Sequence, residues 1–242
     1  MKNARFLSLS WRLRSPLRGR TCREGGASPE WLNDIRTLRG SVFFDNGRRQ
    51  HFKTKDGRFF DDDPIDPYAY HILSYDGARL VGCVRVYRWV PSGPAYVTEK
   101  ILGENRFTEV LYKLGVQRAA TIEIGRWIVH PAYRASGRPG VQLAAGSAAL
   151  AKMLESSSGV QRGIVLCSVG TGDRQDLMLL RAGLAPVPAA EPVNCIEFKD
   201  KMRLMYCANI QELNPRFLRM MNEMAKILGL TQALYQLQPG VA

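Results

Sequence analysis

Glu123 and Arg126 stand three residues apart in a run of strand formers that includes Ile122, Ile124, Trp127, Ile128 and Val129. A charge buried without a partner in such a run is costly, so each needs a partner or a task. On a regular strand, residues three apart face opposite sides. One extra residue at a bulge near Gly125 would turn both side chains to one face and bend the strand. Just downstream, Arg134, Gly137, Arg138 and Gly140 form a basic, glycine-bearing loop ahead of a small-residue helix. Loop N–H groups and a helix N-terminus bind anions, so this stretch suits chemistry on a phosphate-bearing substrate. The competing reading is a strand with one structural ion pair.

Other charges fall in similar settings. Arg85 sits inside the apolar run Leu80–Tyr87, and Arg39 lies beside the apolar face Trp31, Ile35, Leu38, Val42 and Phe43. Asp63 and Asp66 belong to a run with two prolines, Asp61-Asp62-Asp63-Pro64-Ile65-Asp66-Pro67, which excludes a helix interior or a central strand. Arginines of this kind grip a carboxylate bidentately or organise the acidic loop, and the aspartates hold an ammonium or cap the loop. His71 and His130 read as structural, and His51 as solvated.

The elements that must position these residues follow in order. Ser28 reads as a helix N-cap with Pro29 at the first helical position, opening a helix to Phe44. A loop runs from Asp45 to Pro67. Asp76-Gly77 joins strands Tyr70–Tyr75 and Arg79–Trp89 as a hairpin. Residues 91–120 hold a Pro/Gly turn and the segment Val110–Leu114, whose state is open. After the central strand at 120–130 come a buried helix at 141–155, a strand Ile164–Cys167 and a helix stopped by Gly183. Strands Val193–Phe198 and Arg203–Cys207 follow, joined by Lys199-Asp200-Lys201, and then a final amphipathic helix from Asn214-Pro215 to Gly229. The order implies three layers around one mixed sheet.

The chain has 242 residues, 45% of them apolar, enough for one large domain or a domain with an appendage. Its formal charge is +12, of which residues 1–29 carry +6. Residues 1–27 read as a basic flexible arm, 28–210 as the main domain, and 211–242 as a C-terminal helix and tail packed on or beside it. The body is less basic than a dedicated nucleic-acid binder, and aromatic residues are not interleaved with its basic ones. Five scattered cysteines give neither a zinc pattern nor a disulfide framework, which suits the cytoplasm. No apolar run is long enough for a transmembrane helix; the arm offers at most peripheral contact with anionic lipid.

Four patterns, in this order, resemble the GNAT superfamily of N-acyltransferases. They are Arg39-x-x-Val42-Phe43, Asp63-x-x-Asp66, Arg85 in its hairpin, and Glu123-x-x-Arg126-Trp127. The passage Val129-His130-Pro131-x-Tyr133-Arg134-x-x-Gly137 resembles the superfamily's exit from its central strand. The narrower resemblance is to acyl-homoserine-lactone (autoinducer) synthases and long-chain N-acyl amino acid synthases. It implies an α/β (α+β) three-layer GNAT-like fold with a mixed, largely antiparallel sheet, a bulged central strand and flanking helices.

The resemblance implies attack of an amine on an acyl thioester. Glu123 and Arg126 would be catalytic, with Glu123 as base or amine-orienting group; its bland alternative is a partner for Arg126 or Arg85. Main-chain N–H groups at Trp127 or Ile128 would polarise the thioester carbonyl. Arg39, Phe43, Asp63, Asp66 and Arg85 would bind the acceptor. Trp127, Ile128, Val129, Arg134, Gly137, Arg138 and Gly140 would bind the acyl donor, with no metal and no tightly bound cofactor. The loop is one residue longer than the common form, and Pro139 removes one N–H donor. The co-substrate is then acyl-CoA or an acyl carrier protein, the latter docking on Arg134, Arg138 and Lys152. The expected reaction is fatty acyl transfer to the amine of a small metabolite, first of all an amino acid. The alternatives are lactone synthesis from S-adenosylmethionine and a non-catalytic acyl- or nucleic-acid-binding module.

Overall fold

The computed structural model describes residues 9–17, 28–44, 49–156, 164–172, 174–188 and 190–230. Its centre is one mixed sheet of eight strands. In chain order they are β1 (Ser10–Arg14), β2 (Tyr70–Asp76), β3 (Arg79–Arg88), β4 (Thr121–Val129), β5 (Ile164–Gly170), β6 (Ala185–Pro186), β7 (Val193–Cys195) and β8 (Asp200–Cys207). In space the order is β1-β2-β3-β4-β5-β8-β6, with β7 also on β8. Only the β4–β5 pair is parallel.

Alternation along the strands separates two cores. Ile72, Val84, Val86, Ile122, Cys167 and Met205 face helices α4 (Arg138–Ser156), α5 (Gln175–Ala182) and α6 (Pro215–Ile227). On the opposite face, Leu73 and Cys83 pack on Ile35 and Leu38 of α1 (Glu30–Phe43). Tyr87, Leu166 and Leu204 meet Tyr96 and α3 (Glu104–Leu114), which follows the short α2 (Val97–Leu102). Helix α6 is part of the main core: a Cβ on Gly146 of α4 would lie 3.2 Å from Leu228 and 3.6 Å from Met224, so that glycine permits the close approach.

Several expectations need correction. Residues 10–14, within the stretch read as a flexible arm, form β1. Trp11 and Leu13 turn to the core, while the Arg12 and Arg14 guanidiniums lie over the rings of Tyr75 and Trp31. Residues 1–8 and 18–27 of that arm and the tail after residue 230 lie outside the described residues. Pro29, not Ser28, is the N-cap of α1, and no side chain caps it. Val110–Leu114 is helical. Helix α4 begins at Arg138, so Pro139 sits in its first turn, where a missing N–H deprives no intrahelical bond.

Candidate active site

The bulge is present, one residue beyond Gly125. Cys83 pairs with Ile128 and Arg85 with Gly125, so Arg126 and Trp127 together oppose Val84. Arg126 takes the strain, with φ of 53° in the left-handed region that non-glycine residues avoid. The extra residue keeps Glu123, Gly125 and Arg126 on the α1 side, while Trp127 and Val129 turn toward α4.

Next to the bulge the sheet splits. The β4–β5 ladder ends at Glu123–Leu166, although both strands continue. From Ile124 to Val129, β4 keeps a strand partner on the β3 side only. A cavity of about 110 Å³ occupies the split. Toward α1 it is lined by Phe43, Arg49, Arg85, Glu123, Arg126 and Phe198; toward the other layer by Ala144, Ala148, Leu179 and Phe217. One void thus joins a charged side to an apolar side through the sheet. A second cavity, about 420 Å³, adjoins it at Val97 and Arg126 and is lined by Asp61, Asp63, Lys100, Asn194 and Glu197.

The charged side is a network built on the acidic loop. Arg39 Nη1 donates to Asp66 Oδ1 at 2.8 Å, and Nη2 donates to the main-chain oxygen of Asp61 at 3.0 Å. Arg39 Nε lies 2.8 Å from Asp61 Oδ2, an ionic contact out of hydrogen-bond alignment. Arg85 Nη1 lies 2.7 Å from Asp63 Oδ2 and donates to Asp66 Oδ1 at 3.1 Å. Arg126 donates from Nε to Asp63 Oδ2 at 2.9 Å and from Nη2 to Glu197 Oε1 at 2.8 Å. Its guanidinium lies 5.6 Å from the Phe43 ring centroid and 4.8 Å from that of Phe198.

Burial alone would raise the carboxyl pKa of Asp63, but Arg85 and Arg126 beside it hold it well below the usual carboxylate range. Asp66 shows the same opposition, with Arg39 and Arg85 prevailing over burial. The loop is therefore locked in its ionised form. Arg85 Nη2, like Arg39 Nε, is buried and has no hydrogen-bond partner. It lies 3.8 Å from where a Cβ on Gly125 would be, at the point where the sheet opens.

Glu123 is not in this network, and the reading of it as an ion-pair partner of Arg126 or Arg85 is corrected. Its Oε2 accepts from Val97 N–H at 3.0 Å and its Oε1 from Thr98 N–H at 2.8 Å. Two orphan donors at the start of α2 thus hold the carboxylate at the cavity wall.

The remaining expected residues divide. Arg39 and Asp66 line neither cavity and act from behind Arg85 and the loop. Of the expected donor-binding residues, Trp127 lines the cavity and fastens the start of α4 by donating from Nε1 to Gly140 O at 3.1 Å. Ile128 packs against α1. Val129 packs toward α4, and Arg134 donates from Nε to its carbonyl at 2.8 Å. Arg134, Gly137 and Arg138 form an exposed turn leading into α4, with Gly137 at a φ of 65°. Lys152, expected near them, sits 14 residues along α4 from Arg138, about 21 Å away at 1.5 Å per residue. It pairs with Glu155 at 2.8 Å.

His71 lies under the acidic loop with Nε2 2.9 Å from Asp66 O, and His130 bridges Arg79 and its own turn. Neither lines the cavities. Phe198, Glu197 and Arg49, which donates from Nε to Phe198 O at 2.7 Å, were not singled out in the sequence. They come from a hairpin tip and a loop edge whose only local signal is an aromatic residue beside charges.

Residues 38–142 match the model of the acetyltransferase (GNAT) domain. No curated protein matches the chain in sequence comparison. Among solved structures the chain resembles BjaI, a CoA-dependent acyl-homoserine lactone synthase, at 17% identity over 90% of this chain and 89% of that one, with a TM-score of 0.56. It resembles FeeM, an N-acyl amino acid synthase from uncultured soil microbes, at 11% identity over 93% and 97% of the two chains, with a TM-score of 0.51. An acyl-CoA N-acyltransferase from Pseudomonas aeruginosa matches at 15% identity over 83% of this chain and all (100%) of that one, also with a TM-score of 0.51. Residues 38–142 are thus similar to the acetyltransferase (GNAT) domain, and the fold is of the GNAT type.

Proposed function

We propose that this protein, whose residues 38–142 match the acetyltransferase (GNAT) domain, transfers a fatty acyl group from a phosphopantetheine thioester to the amine of a small carboxylate-bearing metabolite, an α-amino acid first of all. The observation that carries the reading is the single cavity through the split sheet, charged at one end and apolar at the other. An acyl chain suits the apolar end, and an amino acid suits the end with Glu123 and the unpartnered Arg85 Nη2.

In this reading the thioester carbonyl lies beside Gly125, where β4 has no β5 partner and its main-chain groups can meet substrate. The neutral amine attacks the carbonyl carbon, and the carbon–sulfur bond breaks. The amine gives up one proton to Glu123, directly or through a water, and the departing thiolate regains it. Arg85 Nη2 takes the acceptor carboxylate, because a buried donor without a partner gains most from an anionic oxygen. Arg126 lines both cavities and positions the acceptor between them. Coenzyme A or an acyl carrier protein brings the donor; the exposed Arg134 and Arg138 at the start of α4 suit the phosphate of either. The buried free thiols of Cys83, Cys167, Cys195 and Cys207 fit a reducing cytoplasm. Among the described residues, no helix is long and apolar enough to cross a membrane.

Mass spectrometry of lipid extracts from bacteria expressing the chain tests the reading, with Glu123→Gln as control. A new N-acyl amino acid, absent with the variant, is the expected result. An N-acyl homoserine lactone would replace the amino acid with S-adenosylmethionine as acceptor. Purified protein that leaves every acyl thioester and amine untouched would overturn the assignment.

A further inference from the structure

The apolar end of the cavity does not stop in the middle of the core. It stops at Leu179 of α5 and Phe217 of α6, both buried. The same two side chains, with Ala144 of α4, line an outer groove of about 380 Å³ between α4, α5 and α6. Their far sides meet Met178 and Met220, flexible apolar side chains, with Arg181 and Arg216 at the rim. A partition one side chain thick therefore separates the inner cavity from a larger apolar groove.

The partition is held firmly. Gly183, at a φ of 105°, ends α5 against the chain that opens α6; a Cβ there would lie 2.9 Å from Leu213 Cα and 3.0 Å from Asn214 N. Asn214 N–H donates to Ala182 O at 2.9 Å, and Asn214 Oδ1 caps α6 by accepting from Arg216 N–H at 2.9 Å. Leu179 and Phe217 are thus fixed relative to each other. The inner cavity, about 110 Å³, has room for on the order of eight water-sized groups.

We propose that Phe217, backed by Leu179, is the acyl-length determinant of this protein, so that α6, outside the matched domain, belongs to the substrate site. The inference rests on the acyl-transfer reading for its substrate class. Medium chains end against Phe217. Longer chains require that side chain to yield and then run into the groove toward Met178 and Met220.

The test uses Phe217→Leu, which thins the partition, and Ala144→Leu, which fills the inner cavity from α4. Two readouts are taken on the full chain. One is transfer from saturated acyl thioesters from butyryl to palmitoyl; the other is displacement of a fluorescent fatty acid by free fatty acids of the same lengths. Phe217→Leu is expected to raise the palmitoyl-to-octanoyl ratio about tenfold, the worth of two buried methylenes. Ala144→Leu is expected to lower it by a similar factor, which keeps the test decisive where Phe217→Leu fails to fold. Folded variants with the wild-type length profile in both readouts would overturn the proposal while leaving acyl transfer standing. A shifted binding profile with no transfer by any protein would keep the length determinant and overturn the transferase reading. Absence of both transfer and binding overturns both.

Discussion

Arg85 stands directly across the β3–β4 ladder from Gly125, and its unpartnered Nη2 lies 3.8 Å from the place a Cβ on Gly125 would take. That distance is ordinary van der Waals contact, so Gly125→Ala should fold with an unchanged melting temperature. The methyl would nonetheless occupy the space from which Nη2 reaches an acceptor carboxylate. A hydrogen bond to a charged group contributes about 1.5–3 kcal/mol. Steady-state transfer should show the acceptor KM raised about tenfold to a hundredfold. An unchanged acceptor KM would remove Arg85 from acceptor binding.

Glu123→Gln separates two duties of one carboxylate. Both oxygens now accept main-chain N–H groups of α2, and a glutamine must turn its NH2 toward one of them. The lost acceptor should cost about 1–3 kcal/mol and loosen the start of α2. Hydrogen exchange at Val97 and Thr98 would report that. If Glu123 also takes the amine's proton, transfer should fall about 10²-fold or more. Faster exchange at α2 with transfer near the wild-type rate would reduce Glu123 to a clamp.

How far these roles could be read in the sequence depended on distance along the chain. The Asp76-Gly77 hairpin was legible because its signal is local; Gly77 sits at a φ of 57°. The bulge was legible because Glu123 and Arg126 make little sense on opposite faces of a buried strand. Strand β1 was not, since its arginines look like the rest of a basic tail until Arg12 and Arg14 are seen lying over Tyr75 and Trp31. The residue types of the charge network were evident, but not the pairing. Glu123 turned to N–H groups 25 and 26 residues upstream rather than to the nearby arginine. Phe198, stacked on an arginine 72 positions earlier, left no local trace.

His71 should make stability depend on pH in a range where few other groups act. It is fully buried beneath Asp66, and burial pushes its pKa down to about 4 despite the nearby carboxylate. The unfolded chain binds this proton below about pH 6.5 while the folded chain does not. Stability is therefore undiminished above that pH and falls as pH drops toward 4, by about 3 kcal/mol at 1.4 kcal/mol per unit. Urea unfolding across this range should show the slope, and His71→Gln should flatten it. An equal slope in both proteins would place the proton elsewhere.

Asp63 should be the costliest member of the network to neutralise, because one carboxylate oxygen serves both Arg85 and Arg126. Asp63→Asn leaves two buried guanidiniums short of charge, and removal of one partner from a buried pair costs about 3–5 kcal/mol. The loss should appear in urea unfolding at neutral pH, and acceptor binding should weaken as Arg126 loses its brace. The folded-state pKa of Asp63 is depressed, so its contribution is present above the ordinary carboxylate pKa and declines as pH falls below about 4. The gap between wild type and Asp63→Asn should therefore be constant from neutral pH down to about 4 and narrow below it. A gap that stays constant through the acid range would mean that the Asp63 charge contributes nothing, since asparagine Oδ1 can still accept from Ile65 N–H as Asp63 Oδ1 does at 3.0 Å.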